Sequence, residues 1–349
     1  MEWEGLKSSP CNLCPRECGA HRDRGRLGYC LSDNRIFVAR AALHMWEEPC
    51  ISGEKGSGTV FFTGCSLRCV YCQNYEIAGN QEPYGSQGKG SQAAIGKQVS
   101  KGKQVSKGKQ VSKGKQVSKG KQVSKGKQVS IEKLGEIFLK LQKMGAANIN
   151  LVTPDHHVMA IARAVLEARQ KGLVIPVVYN GSGYEKREVI RNLSGVIDIF
   201  LTDFKYMDGE LARKYSYAPD YPEVAKAALE EMVKTVGSPV FDREGMMRRG
   251  VIVRHLLLPG HKKNAKKIIS YVYKTYRDNV FISLMNQYTP FDRVKGNPEF
   301  GSLCRKVTKR EYEDVVDYAI GLGVRNAFIQ EDGAAEESFI PSFDGEGVD

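Results

Sequence analysis

The chain has 349 residues, enough for one large domain or two of ordinary size, and its 41% hydrophobic and 26% charged residues are the mixture of a globular protein. No run approaches the roughly 18 apolar residues of a membrane helix, and the opening MEWEGLKSSPCNLCP lacks the apolar stretch of a signal peptide. The formal net charge of +12 is local: residues 96–130 hold eleven lysines and no acid, leaving +1 elsewhere, which excludes a globally basic nucleic-acid binder.

Residues 1–58 are rich in Cys, Gly, Pro and Arg with little periodicity, and read as a loop-rich, metal-tied N-terminal segment. Nine cysteines without a secretory signal point to a reducing, cytoplasmic compartment and to metal or redox chemistry. Their odd number rules out a complete set of disulfides within one chain. They fall at 11, 14, 18 and 30, then 50, then 65, 69 and 72, with Cys304 apart, where a small buried apolar side chain is expected.

Residues 59–63 (TVFFT) form a β-branched and aromatic run that predicts a strand leading into the second cysteine group. Residues 96–130 read GKQVS followed by five copies of KGKQVS. Six residues turn a helix through about 600°, so the single Val of each unit builds no stripe. One Val beside two Lys and a Gly buries too little to offset ordering entropy, which predicts a disordered, solvated loop. The alternatives are a tether for nucleic acid or an acidic membrane and a hexapeptide β-solenoid.

Regular patterning follows the repeat. Ser130 is placed to cap a helix in which Ile131, Leu134, Ile137, Phe138 and Leu141 share a face. Strands are expected at 148–152, 175–179, 197–201, 250–258, 280–285 and 327–329, and helices at 157–169, 185–193 and 221–236. Strands alternating with helices predict an α/β fold, a partial or complete (β/α) barrel over 59–335, with the repeat as an insertion and 336–349 as a C-terminal tail. Such a barrel carries its chemistry at the C-terminal ends of its strands.

Cys65-x3-Cys69-x2-Cys72 is the most specific signal. Thiolates are soft ligands for iron, and these spacings let one loop supply three corners of a [4Fe–4S] cluster. Three ligands leave one iron open, as a catalytic zinc keeps one position open; the alternatives are a structural zinc, which would want a fourth ligand where no His follows closely, and a plain loop.

Gly64-Cys65-x3-Cys69-Val-Tyr71-Cys72-Gln-Asn resembles the cluster loop of radical S-adenosylmethionine (SAM) enzymes, in particular the relatives of pyruvate formate-lyase activating enzyme. LCPRECG, EEPCISG, GSGTVFF, NINLVTP, VYNGSGYE, FLTDFKY, APDYPEVA, VIVRHLLLPG and SLMNQYTP extend the likeness over the chain outside the repeat. The resemblance implies that SAM chelates the open iron. One electron then cleaves SAM to methionine and a 5′-deoxyadenosyl radical, which takes a hydrogen from a substrate.

It also implies an oxidoreductase that installs a glycyl radical on a partner enzyme, fed by an electron donor such as flavodoxin or ferredoxin. Radical modification of a small molecule or another protein is one alternative, and a non-catalytic iron–sulfur electron carrier another. No membrane or nucleic-acid partner is expected. Tyr71 would lie near the adenine. Asp203 and Lys205 resemble an Asp-x-Lys beside the SAM carboxylate with a monovalent cation nearby; otherwise they form a strand-end surface pair. Arg254 is similar to an Arg that contacts SAM, the alternative being a strand-end salt bridge. Asn180, in YNGSG, would line the same cavity.

One departure stands out. Where many relatives carry Gly-Gly-Glu for the SAM amino group, this chain reads Thr153-Pro154-Asp155-His156-His157. Backbone carbonyls around Thr153 and Pro154 are the substitutes, and the His pair is structural or substrate-facing, with a catalytic role the alternative.

Cys11-x2-Cys14-x3-Cys18-x11-Cys30 suits a four-thiolate zinc site or a second iron–sulfur cluster, with free thiols the alternative. Cys50 could replace one ligand, and Arg16, Arg22, Arg24 and Arg26 could offset thiolate charge.

Overall fold

A computed structural model describes residues 3–79, 125–292, 294–330 and 341–349. Its strands are β1 (Ile36–His44), β2 (Ser57–Phe62), β3 (Lys127–Val129), β4 (Ile149–Val152), β5 (Val177–Gly181), β6 (Ile199–Asp203), β7 (Val240–Phe241), β8 (Met247–Leu256), β9 (Phe281–Met285) and β10 (Ala327–Ile329). The sheet runs β10-β9-β8-β6-β5-β4-β2-β1-β3, with β7 paired outside this path to β8. From β2 through β10 along this path every pairing is parallel, while β1 is antiparallel to both β2 and β3. Among the described residues the sheet does not close, so the barrel is partial.

The parallel pairings require crossovers, and the helices supply them. Ile131–Lys143 precedes β4, Val158–Gln170 joins β4 to β5, Arg187–Arg191 joins β5 to β6, Lys262–Tyr276 joins β8 to β9, and Lys309–Leu322 joins β9 to β10. Every residue of β2, β4 and β5 is buried, as strands covered on both faces must be. Ser130 caps its helix as expected, its hydroxyl accepting from Lys133 N–H at 3.1 Å. Val158–Gln170 begins one residue later than the pattern predicted, because Asp155–His157 forms a separate 3-10 turn. Among the described residues no helix is long and apolar enough to cross a membrane.

Three expectations about organisation are corrected. The segment 1–58 is not loop-rich throughout, since its residues 36–44 form β1 in the main sheet. The expected tail 336–349 joins the sheet over its described residues. Ala41 N–H donates to Glu346 O at 2.9 Å and Gly345 N–H to Ala39 O at 3.0 Å, so residues 345–346 continue along the β1 edge that β3 begins. A long exposed edge invites pairing with another chain, and this arrangement covers it.

The expected disorder of 96–130 falls mostly outside the described residues, but its final unit is ordered: Lys127–Val129 pairs with Ile36, Phe37 and Val38. Composition misled here because an edge strand bonds through its backbone, and only Val129 of the three is buried.

This has a testable consequence. Excising residues 101–130 leaves the 96–100 GKQVS directly before Ile131, which restores the letters of β3 and the capping Ser. That deletion is expected to unfold within about 0.5 kcal/mol of the full chain, since the loss at position 125 is one exposed ion pair with Glu76. Excising 96–130 removes β3 and the cap together, and the cap alone is worth about 1 kcal/mol. Denaturant unfolding of the two deletions should separate them in that order.

Candidate active site

Because the strands from β2 to β10 run parallel, their C-terminal ends open on one edge, where a cavity of about 690 Å³ is found. That is within the size range of small-molecule and cofactor sites. Each strand delivers its piece. Beyond β2 come Cys65, Cys69 and Cys72. Beyond β4 comes Thr153, and β5 ends in Asn180 and Gly181. Asp203 closes β6, with Lys205 two residues on, and β8 presents Arg254. The predicted residues Tyr71, Thr153, Asn180, Asp203, Lys205 and Arg254 all line this cavity together with the three thiols.

The cavity floor is a buried charge network. Arg254 donates to Asn180 Oδ1 at 2.5 Å, to Asp203 Oδ1 at 3.2 Å and to Glu47 Oε2 at 3.2 Å. Lys205 pairs with Asp203 Oδ2. Burial alone would raise the Asp203 carboxyl, but Lys205 and Arg254 outweigh it and hold the group below the ordinary carboxylate range. Asp203 and Lys205 are therefore not the surface pair that the alternative reading foresaw. Arg254 is in an ion pair, but a buried one inside the cavity.

Two floor residues were not foreseen. Glu47 and Glu48 follow β1, and burial pushes both carboxyls up against the opposing pull of Arg254. Glu47 Oε1 accepts from Asn150 Nδ2 at 2.9 Å, and from Asn180 Nδ2 at 3.4 Å. In the sequence they appeared only as the start of EEPCISG. Their role depends on β1 pairing with β2, a contact that no local pattern announces.

Thr153, in the place of the missing Gly-Gly-Glu, has φ of 58°. A β-branched residue in the left-handed region is strained and held there by its surroundings. Its N–H donates to Asn180 O at 3.0 Å. The histidines that follow do not line the cavity. Both are buried behind it, with His156 Nε2 2.7 Å from Thr63 O and the two rings 4.3 Å apart. Their part is structural, and the catalytic alternative is set aside.

The triad loop is tied into the core by a hydrogen-bond chain. Tyr71 Oη lies 2.7 Å from Tyr206 Oη, and Tyr206 Oη lies 2.7 Å from Ser216 Oγ. Ser216 donates to Cys69 Sγ at 3.0 Å, while Leu67 N–H donates to Cys65 Sγ at 3.4 Å. Burial raises the Cys65 thiol well above its ordinary value, and the nearby Asp155, Cys69 and Cys72 add to the shift. Among the described residues no three Cys, His, Asp or Glu side chains converge as they would on a single ion. Three thiols from one loop, facing one cavity and receiving N–H and O–H donors, fit a body larger than one ion, and an iron–sulfur cluster is such a body.

The other cysteines divide. Cys11, Cys14, Cys18 and Cys30 gather behind the triad loop, outside the cavity. Cys50 is not among them: it packs with Ile51, Val178, Ile199, Leu201, Met247 and Ile252 in a separate apolar cluster, so its suggested place as a ligand is withdrawn. Cys304 is half-buried and donates to Val294 O at 3.2 Å, so it is not the fully buried apolar filler expected. Of the four arginines, Arg22 is buried 3.8 Å from Cys11 Sγ. Arg16 instead donates to Ser66 O at 3.0 Å, and Arg24 and Arg26 are exposed.

No family model matches the chain. Among curated proteins, the uncharacterized protein MJ0674 of Methanocaldococcus jannaschii is 26% identical over 312 residues, covering 88% of this chain and 74% of that one. Among solved structures, a domain of pyruvate-formate lyase-activating enzyme from Bacteroides vulgatus matches at 14% identity and a TM-score of 0.34, covering 51% of this chain and 91% of that one. SuiB of Streptococcus suis bound to the precursor peptide SuiA matches at 11% identity and a TM-score of 0.41, covering 77% of this chain and 47% of SuiB. SuiB bound to S-adenosylmethionine matches at 11% identity and a TM-score of 0.37, covering 60% and 44%. This chain therefore spans less than half of SuiB.

The chain resembles radical SAM proteins. One buried acid has a titration open to direct test. Glu185 follows β5, accepts from Ser182 N–H at 3.0 Å, and leaves its second oxygen without a partner. Burial, with Asp155 adding to it, raises its carboxyl from 4.5 to about 8. The native state then holds a proton that the unfolded chain has lost, so stability falls as pH rises from 4.5 to about 8. Glu185→Gln is expected to remove that slope, gaining on the order of 4 kcal/mol at pH 8 and little at pH 4.5. Urea unfolding of both proteins at the two pH values reads the difference.

Proposed function

We propose that the chain is a radical SAM enzyme, on one observation: Cys65, Cys69 and Cys72 line the same cavity as the buried floor of Asn180, Asp203, Lys205 and Arg254. The triad would hold a [4Fe–4S] cluster, which when bound supplies the electron that cleaves SAM to methionine and a 5′-deoxyadenosyl radical. The chain's own residues serve the SAM end groups. The guanidinium of Arg254 suits a carboxylate, since it presents two parallel N–H donors. Glu47 and Asp203 are acceptors for an ammonium, and the Thr153 carbonyl offers a further acceptor at the strand end; Pro154, expected beside it, does not line the cavity, and its carbonyl accepts from His157 N–H at 3.0 Å. Lys205 and Arg254 keep Asp203 ionised at neutral pH, where its charge is balanced by theirs.

The substrate reading is a protein segment. Trp46, 67% exposed, and Ile329, 45% exposed, border the cavity as an apolar rim. They are the exposed large apolar side chains among its described lining residues, and a protein segment entering the cavity would cover them. Installation of a glycyl radical on a partner enzyme is the reaction of this class that the family resemblance suggests, with a flavodoxin or ferredoxin as electron donor.

The test is 5′-deoxyadenosine formation by anaerobically reconstituted protein with SAM and dithionite. The wild type should form it, and the Cys65→Ala/Cys69→Ala/Cys72→Ala protein should not. Equal yields from the two would sink the reading. So would absence of product from a wild type with full iron and sulfide, which would leave the electron carrier.

A further inference from the structure

Residues 8–34 contain one three-residue 3-10 turn, Arg22–Arg24, and an isolated bridge between Ser8 and Cys11, but no strand ladder. Something other than secondary structure must hold this knot of turns. The knot holds four thiols near one another, those of Cys11, Cys14 and Cys30 buried and that of Cys18 exposed at its surface. Gly19 N–H donates to Cys11 O at 2.9 Å, which sets the neighbouring Cys18 beside Cys11. Cys14 lies close enough to Cys18 and Cys30 to feel their charge. A Cβ on Gly28 would sit 3.3 Å from both Cys18 Sγ and Cys30 Sγ, so a residue without a side chain leaves a gap between two sulfurs. Gly28 does not have a positive φ, so its lack of a side chain serves space and not backbone conformation. Arg22, 2% exposed, donates to His156 O at 2.7 Å and Asp33 O at 2.6 Å beside these sulfurs.

The knot is also the seat of the triad loop. Cys65 N–H donates to Cys30 O at 3.3 Å, and Ser32 Oγ to Thr63 O at 3.3 Å. Arg68 donates to Tyr29 O at 3.2 Å, and the guanidiniums of Arg16 and Arg68 lie 4.3 and 4.2 Å from the Tyr29 ring. Gly64 approaches so closely that a Cβ would fall 2.4 Å from Ser32 Oγ and 2.6 Å from Cys30 O.

We propose that Cys11, Cys14, Cys18 and Cys30 bind a thiophilic metal centre, separate from the triad, whose loading holds the triad loop in place. Four thiolates are the donor set of a structural zinc and of an iron–sulfur cluster alike. Binding releases the thiol protons to solvent. Among the described residues no three such side chains already converge on one ion. Loading therefore either draws the sulfurs inward to zinc or seats a body that spans them. The inference does not depend on SAM cleavage, and its readout is metal and not activity.

The experiment uses the full chain, prepared anaerobically with zinc and iron both supplied, and measures zinc, iron and sulfide per chain. In the Cys65→Ala/Cys69→Ala/Cys72→Ala protein a metal complement should persist: one zinc, or iron with equal sulfide, which tells the two chemistries apart. Adding Cys14→Ser/Cys30→Ser, or separately Gly28→Val, should remove it. A triad variant that is folded by circular dichroism yet holds neither metal above background overturns the site. The organising role is read by limited proteolysis within residues 64–79, with the triad intact. Gly28→Val should cut there at least ten times faster than wild type, and metal loss without faster cutting overturns that role.

Discussion

Arg254→Ala is expected to destabilise the protein by about 3–5 kcal/mol and to abolish retention of SAM. The first effect follows from what the arginine leaves behind. The side chains of Glu47 and Asp203 are only 10% and 20% exposed, and Arg254 bridges them while donating to Asn180. Removing one partner from a buried ionic set leaves a charge without compensation, a more severe change than deleting the whole set. The double variant Arg254→Ala/Glu47→Gln should therefore recover part of the loss. Arg254→Lys should not restore binding, because one ammonium cannot span three acceptors in a plane. Denaturant unfolding and equilibrium dialysis of SAM report the two effects separately. An Arg254→Ala protein within 1 kcal/mol of wild type would show the network to be worth little.

The second large effect is expected at Gly183. Its φ is 77°, and a Cβ there would lie 2.2 Å from Asp203 O and 2.6 Å from Tyr221 Oη. Gly195 has nearly the same φ, 73°, with nothing within 4 Å of the added atom. Gly195→Ala should cost only the left-handed strain, about 1–2 kcal/mol. Gly183→Ala should cost that and the collision, at least about 3 kcal/mol in total. It should also weaken SAM binding, since relief of the clash must move the strand end that carries Asp203. Thermal unfolding of the pair isolates the contact from the backbone term, and equal losses would deny the close approach any role.

The triad loop and the strand-end positions of Asn180, Asp203, Lys205 and Arg254 were legible in the sequence. Short cysteine spacing is local, and alternating strands and helices fix which residues reach the C-terminal edge. The helix over Tyr221–Val236 and the strand over Ala327–Ile329 also match their expected bounds, each being strongly patterned. What was not legible depends on distant pairing. Strand β1 has no helical or alternating signature, as its buried positions fall irregularly along IFVARAALH. With β1 unseen, the turn that sets Glu47 on Arg254 could not be placed. The left-handed turn at Thr153 was hidden for another reason, since no residue preference predicts a strained β-branched residue. Cys50 illustrates the reverse error: a cysteine near other cysteines in sequence packs among aliphatic side chains in space.

The ordered end of the repeat bears on how this gene can change. The residues that the sheet and the next helix use, KQV for β3 and Ser130 for the cap, are letters shared by every unit. Slippage during replication adds or removes six residues at a time, and whichever copy then stands before Ile131 presents the same strand and cap. Copy number is thus hidden from selection on the fold. A damaging substitution in the terminal copy can be erased by losing that copy. A gain or loss of whole units would thus lengthen or shorten the insertion and leave the residues used by the barrel unchanged.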